Sequence, residues 1–302
     1  MKEALSSLER DGGYLRINLS NGKVASAVFS TSQQLSDLHH DRPQVAILDL
    51  TYGCCTQRYK TASVVYPSPQ SGGTNVAMTA LLRDETHQSM TKFLQQLKEV
   101  MDPAYFFVDK DFGQIDALRE TFPNARIFLC VFHVIKYIGN LLATLHCPNA
   151  KDVVAIKKNL FQLAKKMVNA YSETAFNIAW EEFQTTGAGC TVRSANGKVT
   201  PVNDYMMKNW LGCTEMWSRF HRRNLPIRFT YTTNRVESYF GCLKAEMKVF
   251  YGATPSIVEF IPFLISYMSR RHTRIAMQCI KRFSPNDKFK GLCHEASKDL
   301  TK

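Results

Sequence analysis

Residues 105–133 constrain the fold more than any other stretch of the chain. Tyr105-Phe106-Phe107-Val108 is a short apolar run that ends on a carboxylate, Asp109. Asp111 and Gln114 stand three apart, a pattern that starts helices. Phe122-Pro123 closes that helix, because the residue before a proline is pushed out of helical geometry. Arg126 to Phe132 is again apolar and short enough to be a strand. The stretch therefore reads strand, acidic turn, helix, strand. In open α/β sheets, chemistry sits at the C-terminal ends of such strands. Asp109 is the first candidate; the alternative is that it caps the following helix, a place Asp111 fits better.

The rest of the chain supplies further strands and then helices. Tyr14–Leu19 and Val24–Phe29 flank Asn21-Gly22, a preferred hairpin turn. Residues 31–40 predict a short helix. Gln44–Tyr52 predicts a buried strand interrupted by Asp49. Thr61–Pro67 and Asn75–Arg83 are two further strands divided by a Pro/Ser/Gly turn, so that a three-strand meander results. Thr86–Met101 is helical, with Phe93, Leu94 and Leu97 on one face. Beyond His133 the periodicity turns helical up to residue 184, with a break at Cys147-Pro148. A Gly/Thr/Ser/Asn loop follows at 185–201, and Pro226–Tyr231 reads as extended. Thr232–Glu237 opens a helix running to about Val249, and Pro255 opens a last one.

Composition narrows the class. The 302 residues are 45% hydrophobic, enough for a real core. No apolar run reaches the ~18 residues of a membrane span. The first twenty residues carry Glu3, Glu9, Arg10 and Asp11, so no signal peptide is visible. Nine cysteines, an odd number without framework spacing, read as reduced thiols of a cytosolic or nuclear protein. The net charge of +12 and pI near 9.3 favour a polyanionic partner such as nucleic acid, the plain alternative being a protein that happens to be basic. The basic clusters that would meet such a partner are Arg219, Arg222 and Arg223, with Trp210 and Trp217 nearby to stack, and Arg270, Arg271 and Arg274. Both clusters also read as solvated helix ends.

Three acids stand out: Asp49 inside a strand, Asp109 ending another, and Glu237 in the first turn of a late helix. A carboxylate within an apolar run is costly unless paired or metal-bound. Two-metal phosphoryl transfer uses such a set, with cations roughly 3.5–4 Å apart. Mg²⁺ (or Mn²⁺) suits a few carboxylates plus water and phosphate oxygens. Glu237 has a plain alternative, because Asn234 and Glu237 have capping-box spacing. Cys130 and His133 have metal-ligand spacing, with His146-Cys147 as the nearest completion of a zinc site; a tetrahedral zinc needs four ligands. The other reading is a buried cysteine and a helix-capping histidine.

Four motifs occur in order: Asp49-Leu50-Thr51-Tyr52; Val76-Ala77-Met78 followed by Asp84-Glu85-Thr86; Asp109-Lys110-Asp111 through Phe122-Pro123 to Cys130-Val131-Phe132-His133; and Thr233-Asn234-Arg235-Val236-Glu237-Ser238 with Leu243-Lys244. This pattern resembles the transposase domain of Mutator-like elements, most closely its host-domesticated relatives among SWIM-type zinc-finger proteins, over about residues 24–280. The resemblance implies an α/β, RNase H-like mixed sheet with a large all-α insertion between the second and third acidic motifs. It implies Asp49, Asp109 and Glu237 as the metal-binding catalytic triad, DNA as partner, oligomers or protein partners, and a nuclear location. It divides the chain into an N-terminal hairpin and lead-in (1–40), a first core part (41–133), a helical insertion (134–224), C-terminal core helices (225–285) and a flexible tail (286–302). The family's N-terminal DNA-binding domain and downstream zinc finger are not seen here, so a fragment or domesticated core is expected. A non-catalytic regulatory module is the alternative. An RNase H-like exonuclease fits less well, because Thr51 stands where a second first-strand acid would be.

Overall fold

The computed structural model describes residues 2–20, 23–69, 72–148, 150–227 and 232–283. Seven strands form the main sheet: β1 (Tyr14–Ser20), β2 (Lys23–Ser30), β3 (Val45–Thr51), β4 (Lys60–Pro67), β5 (Thr74–Leu82), β6 (Tyr105–Val108) and β7 (Arg126–Leu129). Their order is β1-β2-β5-β4-β3-β6-β7. The β3–β6 and β6–β7 pairs are parallel and the others antiparallel. The expected meander is β3–β5, and the expected hairpin β1–β2 extends it at the β5 edge. The hairpin's Asn21-Gly22 turn, residues 228–231 and the tail lie outside the described residues.

Strand alternation sorts the side chains into two cores. Ala46 and Leu48 join one cluster with Phe93, Leu94 and Leu97 of α3 (His87–Lys98) and Leu118 of α4 (Phe112–Thr121). Val45 and Ile47 join the other, with Leu5 and Leu8 of α1 (Lys2–Arg10), Leu243 of α9 (Asn234–Tyr251) and Leu264 of α10 (Ile257–Phe283). The sheet is thus covered on both faces, as a βαβ crossover sheet must be. α1 was not anticipated. Between these segments, α2 (Ser32–Asp41) is fixed by a capping box in which Thr31 and Gln34 satisfy each other's backbone N–H groups.

The block after β7 is a helical insertion: α5 (Val131–Ala143), α6 (Val153–Asn169), α7 (Glu173–Thr186), α8 (Val202–Asn209) and two 3-10 turns, Leu211–Met216 and Arg219–His221. It adds no strand to the main sheet. The loop expected at 185–201 instead contains a small hairpin, β8 (Thr191–Arg193) with β9 (Val199–Pro201).

The reading of all cysteines as reduced thiols is corrected here: Cys147 is disulfide-bonded to Cys190. An isolated bridge between His146 and Thr191 brings the two cysteines together across 43 residues of sequence. No local spacing announces such a pair. Closing a loop of that length stabilises a fold by roughly 4 kcal/mol in the chain-entropy account. Cys147→Ser with Cys190→Ser is expected to lower the urea midpoint of the insertion by a corresponding amount. A midpoint unmoved by the double substitution would show that the bond carries no stability.

Candidate metal centre

Asp49 and Asp109 reach the same place through register. β3 and β6 run parallel, with Val45 opposite Tyr105 and Ile47 opposite Phe107. Two residues further, both chains carry a carboxylate on the face of Val45, Ile47 and Phe107. That face meets α9, whose Val236, Tyr239, Phe240 and Leu243 are buried against it. The expected inward side of this helix is therefore seen. It leaves Glu237, in the first turn, beside the two strand ends.

Glu237 does not pair with Asn234 in a capping box. The N-cap is Thr233 and makes no side-chain cap bond; its hydroxyl instead donates to Glu237 Oε1 at 2.7 Å. Asp109 is no cap either, because Asp111 accepts the Gln114 N–H at 2.8 Å. Asp49 Oδ1 accepts the N–H of Leu50 at 2.8 Å.

His133 links the acids. β7 stops at Leu129 rather than Phe132, Cys130 starts α5, and His133 lies in its first turn. Its Nδ1 is 2.5 Å from Asp109 Oδ1 and its Nε2 is 3.8 Å from Glu237 Oε1. The first contact is close, although its angle is poor for a hydrogen bond. The Thr233 N–H donates to Cys130 Sγ at 3.2 Å, and the Thr233 hydroxyl is 3.3 Å from His133 Nδ1.

The charges shift one another. Burial first, then the neighbouring Asp109, pushes the Asp49 carboxyl up from 3.8 to about 7. Contact with Asp109, then with Cys130, raises His133 from 6.5 to about 10, so it is an imidazolium at neutral pH. Burial pushes the Cys130 thiol up, but hydrogen bonds from His133 and Thr233 outweigh it and leave the thiol lowered.

The donor atoms of Asp109, Cys130 and His133 lie within 4.8 Å of one another. The expected completion of a Cys130–His133 site by His146-Cys147 is corrected: Cys147 is bonded to Cys190, and Asp109 is the third donor. The sequence reading missed Thr233 and the role of His133 as a bridge between acids. The Cys-x-x-His spacing held the signal, because it places His133 one turn into the helix that follows the strand beside β6.

The basic clusters are largely structural. Arg222 has no exposed surface. Its guanidinium donates to Leu129 O and Trp217 O and lies over Phe128, so it cannot meet DNA. Arg270 and Arg274 both pair with Glu246, and Arg271 donates to Thr74 O over the Tyr239 ring. Arg219 stacks on Tyr171 and Arg223 donates to Tyr171 O. Trp210 and Trp217 are fully buried and packed edge to face, so neither offers a ring to DNA. Arg222→Ala is expected to destabilise the fold by about 2–4 kcal/mol, since it strands two carbonyls and opens a cavity. Urea unfolding measures the loss; a midpoint unmoved by the substitution would return Arg222 to the surface.

The strand order, the covered sheet and the position of the insertion define an RNase H-like α/β fold. Within it, residues 6–128 match the family model of the zinc finger SWIM domain-containing protein 1/3, RNaseH-like domain. The matched stretch contains Asp49 and Asp109; Glu237 lies beyond it. Solved structures similar to this chain include the HTLV-2 integrase catalytic core domain in complex with magnesium, at 19% identity over 48% of this chain and 85% of that one, with a TM-score of 0.22. The catalytic core domain of BIV integrase is 14% identical over 55% of this chain and 95% of that one, with a TM-score of 0.23. No curated protein matches. Among the described residues, no helix is long and apolar enough to cross a membrane.

Proposed function

We propose that this chain is a Mutator-like, DDE-type transposase core, kept as a fragment or in domesticated form, which cleaves DNA phosphodiesters and joins the freed 3′-OH to target DNA. One observation carries the reading: Asp49, Asp109 and Glu237 come from three separate elements to one end of the sheet, and burial beside Asp109 raises the Asp49 carboxyl to about 7. That is the electrostatic signature of a carboxylate set built for a cation it must share.

The donor chemistry fits the proposed metal. Three carboxylates are hard oxygen ligands of the kind Mg²⁺ and Mn²⁺ prefer. Asp109, Cys130 and His133 would suit Zn²⁺ better, with one ligand short of the usual four. Divalent cations held by Asp49, Asp109 and Glu237 would supply an activated oxygen nucleophile and a Lewis acid for the leaving oxygen. The chain's own part is to hold the three carboxylates at the C-terminal ends of β3 and β6 and keep His133 protonated beside two of them. The Thr233 hydroxyl orients Glu237 through its 2.7 Å bond. DNA, homo-oligomers and a nuclear location belong to this reading. In the nucleus the thiol pool would work against the Cys147–Cys190 bond.

His133 also supports a second reading. As an imidazolium between Asp109 and Glu237, it neutralises the acids without a metal, as a non-catalytic DNA- or protein-binding regulatory module would need. Nicking of supercoiled plasmid in Mg²⁺ or Mn²⁺ separates the two. Metal-dependent nicks support the catalytic reading. Absence of both nicking and Mn²⁺ binding would leave the regulatory module.

A further inference from the structure

Exposed aromatic rings crowd the rim of the acidic centre. Among the described residues six large aromatic side chains are exposed, and four stand next to the acids: Tyr52, Phe112, Phe132 and Tyr137. Tyr52 follows Asp49 by three residues, Phe112 follows Asp109 by three, and Phe132 precedes His133, its ring edge-on to the imidazole at 5.4 Å. Leaving a phenylalanine ring about two-thirds in water, as at Phe112 (67%), forgoes most of its burial free energy. Each of three rings also has a lysine over it: Lys60 at 5.8 Å from Tyr52, Lys110 at 5.7 Å from Phe112 and Lys136 at 6.0 Å from Phe132. Lys110 is further fixed over Trp210 and by the Asn209 carbonyl. A cavity of about 260 Å³ opens between this rim and the insertion, lined by Asp109, His133, Lys110, Lys136 and Tyr137.

We propose that an unpaired polynucleotide strand lies across this rim, its bases stacked on Phe112, Phe132 and Tyr52 and its phosphates met by Lys60 and Lys136. The idea rests on the reading of the acidic centre as a nucleic-acid site and names the form of its substrate. An aromatic platform with cations beside it binds single strands without sequence preference, because every unstacked base offers a π face. In a duplex those faces are buried in the stack, and only the backbone and the base edges in the grooves reach the protein. The two arginine clusters cannot replace this surface, since Arg222 is in the core and Arg270 and Arg274 hold Glu246 at 2.7 and 2.8 Å, whereas Lys60 has only a looser 3.7 Å contact with Glu85 to give up. The lysines also answer an obvious objection: phosphates would otherwise meet only the repulsion of the acids.

Fluorescence anisotropy with labelled oligothymidine, oligouridine and a mixed duplex tests the proposal. Binding is measured without divalent metal, in the full chain with its acidic centre unsubstituted, so that no strand is cut. The single strand is expected to bind more tightly than the duplex. Phe112→Leu with Phe132→Leu keeps apolar bulk and removes both π faces; it should weaken single-strand binding by tenfold or more per ring and leave duplex binding unchanged. Because both rings are exposed, the thermal midpoint should not move. The deoxy and ribo strands decide between DNA and RNA. Duplex preference, or single-strand affinity indifferent to both substitutions, overturns the proposal and gives these rings to a protein partner. Ring-dependent binding without nicking in the unsubstituted chain would defeat only the catalytic reading; nicking without ring dependence would defeat only this one.

Discussion

Asp109→Asn is expected to reduce Mg²⁺-dependent nicking by roughly a thousandfold and to abolish measurable Mn²⁺ binding. The effect should exceed that of any other single change, because Asp109 belongs to both donor groups. It lies across the parallel register from Asp49, and it touches His133 at 2.5 Å. Asparagine keeps the shape and removes the charge, so the strand end and the Asp111 cap remain. A second readout follows. Without its carboxylate partner, His133 should titrate well below its present value of about 10, and NMR of the imidazole protons would show the fall. Calorimetric titration with Mn²⁺ and a plasmid assay check the two halves. A variant that still binds Mn²⁺ and nicks DNA would remove Asp109 from the centre.

Asp49→Asn is expected to stabilise the metal-free protein above neutral pH. The folded carboxyl is raised from 3.8 to about 7. Between those values the native chain retains a proton that the unfolded chain has released. Stability therefore falls as pH rises through this window and levels off above it. At about 1.36 kcal/mol per pH unit the full loss would be roughly 4 kcal/mol, and partial contact with water brings it nearer 2–3. The asparagine variant should show no such decline and be more stable by that amount at pH 8. His133 has the same sign at higher pH: its stabilising share is full below 6.5 and is lost as pH rises through about 10. That decline is expected in both proteins, so the difference between them isolates Asp49. Urea unfolding at pH 5 and pH 8 measures it. Adding Mn²⁺ should raise the stability of the wild-type chain and leave the variant where it was. Parallel pH profiles would show that Asp49 is not under electrostatic load.

Local chemistry made much of this architecture legible. The Asp111–Gln114 start of α4, the apolar face of α9 and the strands β3 to β7 all follow from spacing and propensity that act over a few residues. Alternation alone puts Asp49 on the face of Val45 and Ile47 and Asp109 on that of Phe107; that these are one face was decided by the parallel register of β3 and β6. Glu237 was readable as a candidate, but its release from capping was not, since that depends on Thr233 turning its hydroxyl to the carboxylate.

What the sequence by itself determined is the periodicity of the main sheet's strands and of most helices, though not of α1 or the β8–β9 hairpin, and which carboxylates end them. Only the tertiary structure decided what each charge and thiol meets. Arg222 looks like its neighbours Arg219 and Arg223 in the chain, yet packing against Phe128 and two carbonyls takes it into the core. Cys147 finds Cys190 through a small hairpin and not through spacing. His133 becomes a bridge between two acids because the register of β6 and β7 and the packing of α9 carry Asp109 and Glu237 to it. Such pairings join residues as far apart as Cys147 and Cys190 or His133 and Glu237, and their energies depend on distance and burial, which the folded chain fixes and no local pattern encodes.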